Sequence, residues 1–487
     1  MQGQPKPVDR AGFRAKVCAG GALGEIMGQS LRPLAALANP RFATIVVLAV
    51  GCIVCLTLNW PGQLSYDSVA QLHDGHIGVY NSWHPPVMAW LLGIADSIIP
   101  GAGLFVVFDA VLLFGAMIAL IRVPAASSWW GVPAALTCVL LPQFLLYQGV
   151  VWKDVLFADS AIAGFACLAL AAAHWRRTTR RNSLLAGCIV LLVLATLARQ
   201  NGAIVLVFGI AAIGTLAAVQ ETAATRTRAV LLFAGAASLA AIVLVVAASV
   251  ALAMRTPGES GPRAQFKLLE TYDIVGAVKT DPGLKLDRIA RANPDLEQLI
   301  RTDGVRLYTP QRNDTLASAA ELQDELSDTP KDIISAQWTD LIVKHPWLYL
   351  DVRARVFAWT LFTPDISRCY PYFVGVDGLP RFMRDLNLAP RTRTQDTALK
   401  DYGAVFVGTP VFSHLTYLLL ALAILVVLLR RRRPADLAVA FLLMAAIAFT
   451  LSFFVISIAC DYRYLVFLDL SALGGALYWA STRPKSA

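Results

Sequence analysis

Ten largely apolar runs, each near the length of about 20 residues that a helix needs to cross a bilayer, set the limits on what this chain can fold into. They are Phe42–Asn59, Leu104–Ile121, Val132–Gly149, Val155–Ala173, Leu184–Ala198, Ala203–Val219, Ala229–Ala253, Val411–Leu429, Leu437–Ala459 and Tyr464–Ala480. With 57% hydrophobic and only 15% charged residues over 487 positions, the chain is more apolar than a soluble protein of its size requires. The expected fold is mainly α: a polytopic membrane protein of about ten transmembrane helices with one mostly helical hydrophilic domain.

Charge sorts these runs into an orientation. The formal net charge is +9, yet the stretch from Arg255 to Asp401 holds 20 Lys and Arg against 21 Asp and Glu, so the surplus lies elsewhere. With the N-terminus in the cytoplasm, ten spans put Lys6–Arg41, Arg122, Arg176–Arg181, Arg226–Arg228, Arg430–Arg433 and Arg483–Lys485 inside, which accounts for 19 of the 22 basic residues outside that stretch. The basic balance is topological and argues against nucleic acid as a partner. The expected place is a bacterial inner (plasma) membrane, both termini cytoplasmic. No compact apolar core with a small-residue cleavage site follows the basic N-terminus, so no removable signal peptide is expected.

The expected division is residues 1–41 as a cytoplasmic segment, 42–254 as a transmembrane module with a first outer loop at 61–103, 255–408 as an extracytoplasmic domain, and 409–487 as C-terminal helices. Within the first outer loop Pro85–Ile99 is apolar but short. Counted as a span it would turn Arg176–Arg181 outward, so it reads as a membrane-hugging helix, with Trp83 and Trp90 suited to the interface. In the hydrophilic domain, Ile333–Phe362 carries Trp338, Trp347, Val356 and Trp359 at helical spacings, which fits a helix on the lipid surface, over the site or in the domain core. Arg353 and Arg355 there read as solvated charge. Six of the eight cysteines lie in or beside spans, where Cys acts as a small apolar residue; the sequence leaves open whether Cys369 and Cys460 pair.

Three basic residues break the sorting rule. Lys153, Arg199 and Arg463 each sit where a span meets the outer surface, in Val151-Trp-Lys-Asp154, Ala198-Arg-Gln-Asn-Gly202 and Asp461-Tyr-Arg-Tyr464. Cations on the disfavoured side serve either as interfacial anchors or as a grip on an anionic group. The same surface carries Asp67 in the first outer loop, and His84 fixed by Pro85 and Pro86. Asp109, Asp159 and Asp469 lie toward the outer ends of their spans, which fits either an outward-opening polar cavity or helix-to-helix hydrogen bonds.

Together Tyr66-Asp67-Ser68, His84-Pro-Pro, Lys153-Asp154 and Asp461-Tyr-Arg-Tyr464 resemble the GT-C membrane glycosyltransferases, and most of all the bacterial relatives of protein mannosyltransferases and aminoarabinose transferases. The resemblance implies transfer of a hexosyl or pentosyl sugar from a polyprenyl-phosphate-linked donor to an acceptor that is a glycolipid, a polysaccharide or a protein. It gives the acceptor-side acid role to Asp67 and a second acidic position to Asp154. Glycosyl transfer needs a base and a group that stabilises the departing phosphate. Asp67 is the expected base, with Asp154 and His84 beside it. Lys153, Arg199, Asn201, Arg463, Tyr66 and Tyr462 are the expected substrate-binding residues. Asp67 stands without a paired acid, so no cofactor is expected to be required, a divalent cation remaining possible. Two other readings compete: a metal-dependent hydrolase built on His73, Asp74, His76 and His84, and a flippase for lipid-linked glycans, whose site belongs at mid-membrane.

Overall fold

The computed structural model describes residues 39–81, 83–256 and 261–482. The basic clusters Lys6–Arg32 and Arg483–Lys485 lie outside the described residues. Helix α1 (Pro40–Asn59) opens on Asn39, whose side chain accepts from the Arg41 amide at 3.0 Å, with Pro40 at the first helical position. Two short helices, α2 (Tyr66–Ile77) and α3 (Pro86–Ile98), fill the loop before α4 (Gly103–Arg122). Then follow α5 (Gly131–Leu140), α6 (Pro142–Leu145), α7 (Lys153–Ala173), α8 (Thr178–Ala198), α9 (Ala203–Gln220) and α10 (Arg226–Ala253). The hydrophilic segment contains α11 (Gly261–Thr280), α12 (Lys331–Lys344), α13 (Pro346–Phe362) and several shorter helices. Three helices close the chain: α14 (His414–Arg431), α15 (Pro434–Ile456) and α16 (Val466–Ala480).

Eight of these helices are long and apolar enough to cross a membrane. The other two expected spans differ from straight rods. Val132–Gly149 is broken by 65° between α5 and the Pro142–Gly149 segment. Pro142 has no amide hydrogen to donate back to Cys138 O, which accepts from the Leu141 amide at 3.2 Å, and beyond the break the Leu145 carbonyl accepts from Asn59 Nδ2 at 2.7 Å. The last span, α16, has 15 residues and begins after a single 3-10 turn at Tyr462–Leu465. It still runs the depth of the bundle. The Ser481 carbonyl at its far end accepts from the Ser128 amide at 3.1 Å, and Arg41 reaches the carbonyl of Pro124 at the same end.

Helix α7 is the axis of the bundle. Of its most apolar window 89% is buried, against 17% for α10, which is left to face lipid. Ala158, Ala161, Gly164, Ala166 and Ala169 keep α7 slim, so that α4, α8, α15 and α16 all pack on it. Small residues also seat α3 on α2: a Cβ at Gly75 would meet the Ala89 carbonyl and the Gly93 backbone. Helix α3 buries Val87, Met88 and Leu92 and exposes Trp90, Ile94 and Ile98, an apolar outer face as a helix lying along the membrane requires.

The hydrophilic segment divides differently from the expected 255–408 unit. A second hydrophobic core, from Tyr272 to Val356, gathers α11, α12 and α13 with the shorter helices. Residues from Leu361 onward, including Ile366, Cys369, Val376, Met383 and Phe412, join the core of the membrane bundle instead. Backbone pairing draws them there. The Leu64 amide donates to Gly375 O at 2.9 Å and the Asp377 amide donates to Leu64 O at 2.9 Å, while the Gln63 amide donates to Gly149 O at 2.8 Å. These isolated bridges tie the loop after α1, the start of α7 and the returning segment together.

Arg353, solvated by the sequence reading, is not so in the fold. It lies in the joint between the two cores with no exposed surface, donating to Asp273 Oδ1 at 2.6 Å, Phe454 O at 2.9 Å and Ser457 O at 2.6 Å. Arg355, turned away from that face, is exposed and pairs with Asp351 at 2.7 Å. Cys369 and Cys460 form a disulfide, with Cα atoms 5.0 Å apart.

Candidate active site

Asp67 stands in the first turn of α2, where the helix start is held from two sides. Ser65 and Ser68 form a capping box, with their hydroxyls 2.9 Å apart. Ser68 Oγ then donates to Val151 O at 2.6 Å, and Trp152 Nε1 donates to Ser65 Oγ at 2.9 Å. The extended residues Val150–Trp152 therefore clamp the α2 N-terminus beside the α7 N-terminus, and Asp67 beside Lys153 and Asp154.

Around Asp67 the expected cations converge. Arg463 Nη2 lies 2.8 Å from Asp67 Oδ2, and His84 Nε2 lies 3.9 Å from Asp67 Oδ1. Lys153 Nζ is 3.2 Å from His84 Nδ1. An ammonium group can only donate, so Nδ1 accepts and Nε2 carries the hydrogen that faces Asp67. Arg463 also approaches Asp461 at 3.5 Å and Asp154 at 3.9 Å, and its guanidinium lies 5.1 Å from the centre of the Trp152 ring. Arg199 pairs with the buried Asp154 and is ringed by Phe449, Phe453 and Tyr464.

Lys153, Arg199 and Arg463 face Asp67 and Asp154, while Asp461 is shared with Arg312, whose Nη2 lies 2.6 Å away. Lys153 is the cation of the cluster without a carboxylate partner among the described residues. Burial, then the neighbouring Lys153 charge, holds His84 down at about 4, so the ring is neutral near pH 7. Burial alone would raise the Asp67 carboxyl, but Arg463, His84 and Lys153 outweigh it and hold Asp67 below its ordinary value. Since the folded value of His84 lies below the ordinary 6.5, the unfolded chain takes up a proton in the interval that the folded chain refuses. We expect stability from this ring to be complete above about pH 6.5 and to fall as pH drops toward about 4. Thermal unfolding followed against pH checks it, and His84→Gln should flatten that window.

Other expected site residues lie elsewhere. Tyr66 points into solvent, 53% exposed. Asn201 donates to Ser452 Oγ at 2.8 Å, on the bundle side of the α8–α9 turn. Tyr462 is fully buried and turned away from its neighbour Arg463: its hydroxyl donates to Asp469 Oδ2 at 2.7 Å, and its ring stacks on His414 at 3.9 Å. Consecutive residues of a 3-10 turn face different ways, which places Arg463 in the cluster and Tyr462 in the core. Asp469 thus serves helix packing, with His414 Nδ1 at 2.9 Å. Asp159, bonded to Gln148 at 3.2 Å, and Asp109 are buried within the bundle.

The histidine metal site does not form. His73 pairs with Asp385 at 3.1 Å and stacks on Phe382, His76 pairs with Asp96 at 2.7 Å, Asp74 accepts from the Asn81 amide at 2.9 Å, and His84 belongs to the Asp67 cluster. Among the described residues no three His, Cys, Asp or Glu side chains gather as a ligand set. A divalent cation does not fit the cluster as arranged either, because a guanidinium already stands against each of Asp67 and Asp154. Two members of the cluster escape the sequence reading. Trp152 is legible there only as the residue before Lys153, and Arg312 carries no signal in a charge-balanced segment.

No family model matches the chain, and no curated protein matches it in sequence. Among solved structures it is similar to the archaeal oligosaccharyltransferase of Archaeoglobus fulgidus. The complex with an inhibitory peptide and a dolichol-phosphate is 17% identical, with a TM-score of 0.41, covering 89% of this chain and 50% of that one. The apo form is 16% identical, with a TM-score of 0.42 and coverage of 89% and 50%. The chain spans about half the length of these proteins. Likeness at this level leaves the chemistry to be read from the cluster itself.

Proposed function

We propose that the protein is a membrane glycosyltransferase acting at the extracytoplasmic face, moving a sugar from a polyprenyl-phosphate-linked donor to a hydroxyl of an envelope acceptor. The observation that carries this reading is the joint presence of a part-exposed carboxylate and, beside it, a lysine with no carboxylate within 4 Å among the described residues. The face is supported by the charge sorting and by the Cys369–Cys460 bond, which belongs in an oxidising compartment.

In this reading the acceptor oxygen attacks the anomeric carbon and passes its proton to Asp67 Oδ1, the oxygen not engaged by Arg463. The bond from that carbon to the phosphate oxygen breaks, and its electron pair stays on the polyprenyl phosphate. Lys153 and Arg463 stabilise that charge at the low-dielectric membrane edge. As the phosphate draws on Arg463, Asp67 loses part of what depresses its basicity, so the donor prepares the base. Arg199, a phosphate grip by the sequence reading, is assigned instead to holding Asp154. His84, with its hydrogen on Nε2, faces Asp67 from 3.9 Å.

Lys153→Ala then raises the donor KM about 10-fold or more, the loss of one charge-assisted contact worth about 1.5–3 kcal/mol, with the acceptor KM little changed. Initial rates in detergent or nanodiscs, varying each substrate in turn, separate the two. Tight binding of a polyprenyl-phosphate sugar with no transfer to any acceptor, coupled to its movement across vesicles, would instead support a flippase.

A further inference from the structure

Arg463 has three carboxylates within 4 Å: Asp67 at 2.8 Å, Asp461 at 3.5 Å and Asp154 at 3.9 Å. Asp154 is already matched by Arg199. Asp461 is the true competitor, since it lies two residues from Arg463 on a short rigid turn. What keeps Arg463 on Asp67 is the group that satisfies Asp461 first.

That group comes from the hydrophilic segment. Arg312 Nη2 lies 2.6 Å from Asp461 Oδ1 and donates to Arg368 O at 3.3 Å, Nη1 lies 2.6 Å from Asp314 Oδ2, and the guanidinium sits 4.1 Å from the centre of the Tyr370 ring. Its backbone is pinned as well. The Asn313 amide donates to Ile458 O at 3.0 Å, and the Cys460 amide donates to Gln311 O at 2.9 Å. The Cys369–Cys460 bond fixes the Arg368 carbonyl next to this turn. Every contact that aims Arg312 at Asp461 is thus made within the segment or between it and the residues just before Asp461.

We propose that Arg312 is a positioning residue: by taking the Asp461 carboxylate it leaves Arg463 on Asp67, so the hydrophilic segment sets the charge state of Asp67 without touching it. The linkage Arg312, Asp461, Arg463, Asp67 stands on geometry alone. Its consequence for donor phosphate binding rests on the proposed function. Removing Arg312 turns Asp461 into an unmatched carboxylate 3.5 Å from Arg463, and the guanidinium moves off Asp67. Removing the Asp461 charge as well takes away the competitor and returns Arg463 to Asp67.

The test uses the full-length protein in detergent and reads Asp67 directly. Carboxyl labelling with a water-soluble carbodiimide and an isotopic amine, followed by peptide mass spectrometry, should find Asp67 protected in the wild type. Labelling should rise about 10-fold in Arg312→Ala and fall back to within about 3-fold of wild type in Arg312→Ala/Asp461→Asn, shifts of the size one ion pair gives. A merely structural Arg312 would not be rescued by neutralising Asp461. Equal Asp67 labelling in wild type and Arg312→Ala overturns the proposal, as does a double variant no better than the single. Polyprenyl-phosphate affinity is measured on the same three proteins. If labelling follows the expected pattern but none of them binds the lipid phosphate, the linkage holds and the donor assignment fails.

Discussion

Asp67→Asn abolishes sugar transfer, with a loss of about 10³-fold or more, while the protein remains folded in detergent and still binds polyprenyl phosphate. The size follows from the removal of a positioned general base, worth about 10²–10⁴-fold. Retained binding follows from the geometry, since Lys153 and Arg463 keep their charges and the amide no longer competes for Arg463. The check is a single-turnover assay with donor saturating, beside a lipid-phosphate titration of the same preparation. Near-normal turnover removes Asp67 as base. Lost turnover together with lost binding makes Asp67 an architectural residue instead.

Arg353→Met lowers stability by about 3–5 kcal/mol, the cost of stranding a buried carboxylate after its partner is removed. Asp273 has no exposed surface and no second cation at hydrogen-bonding distance among the described residues. Burial already pushes its carboxyl upward, against Arg353 and the Trp338 indole, which donates at 3.0 Å. The Phe454 and Ser457 carbonyls lose their donors at the same time. Arg353→Met/Asp273→Asn should recover part of the loss, because no uncompensated charge is left. Thermal unfolding in detergent, with limited proteolysis of the hydrophilic segment as a second probe, measures both variants.

Legibility in the sequence differs by level. Spans are written as apolar length, and eight stand where the runs place them. The break in Val132–Gly149 is not visible there, although Pro142 marks it, because an apolar run reads the same straight or bent. The site is reached through the exceptions to charge sorting: Lys153, Arg199 and Arg463, singled out in the sequence as breaking the rule, lie together around Asp67 and Asp154. Contacts that depend on which way a neighbour faces are not legible. Tyr462 reads with Arg463 and lies in the core; His73, His76 and His84 are close in the chain and serve three different carboxylates. Arg312 and Arg353 are invisible for a related reason. In a segment with nearly equal charges of both signs, nothing in composition separates a buried guanidinium from a solvated one.

Between Cys369 and Cys460 the chain runs out through α14, turns at Arg431–Arg433 and returns through α15. The two sulfurs can therefore meet only once that helical hairpin has been fully inserted and its second limb has come back up. The covalent link thus requires that hairpin to be in place, and a chain whose hairpin stalls or inverts carries two more free thiols. Alkylation mapped to Cys369 and Cys460 by peptide mass spectrometry, apart from the other six cysteines, thus grades how many molecules carry the hairpin in place, before any substrate is in hand.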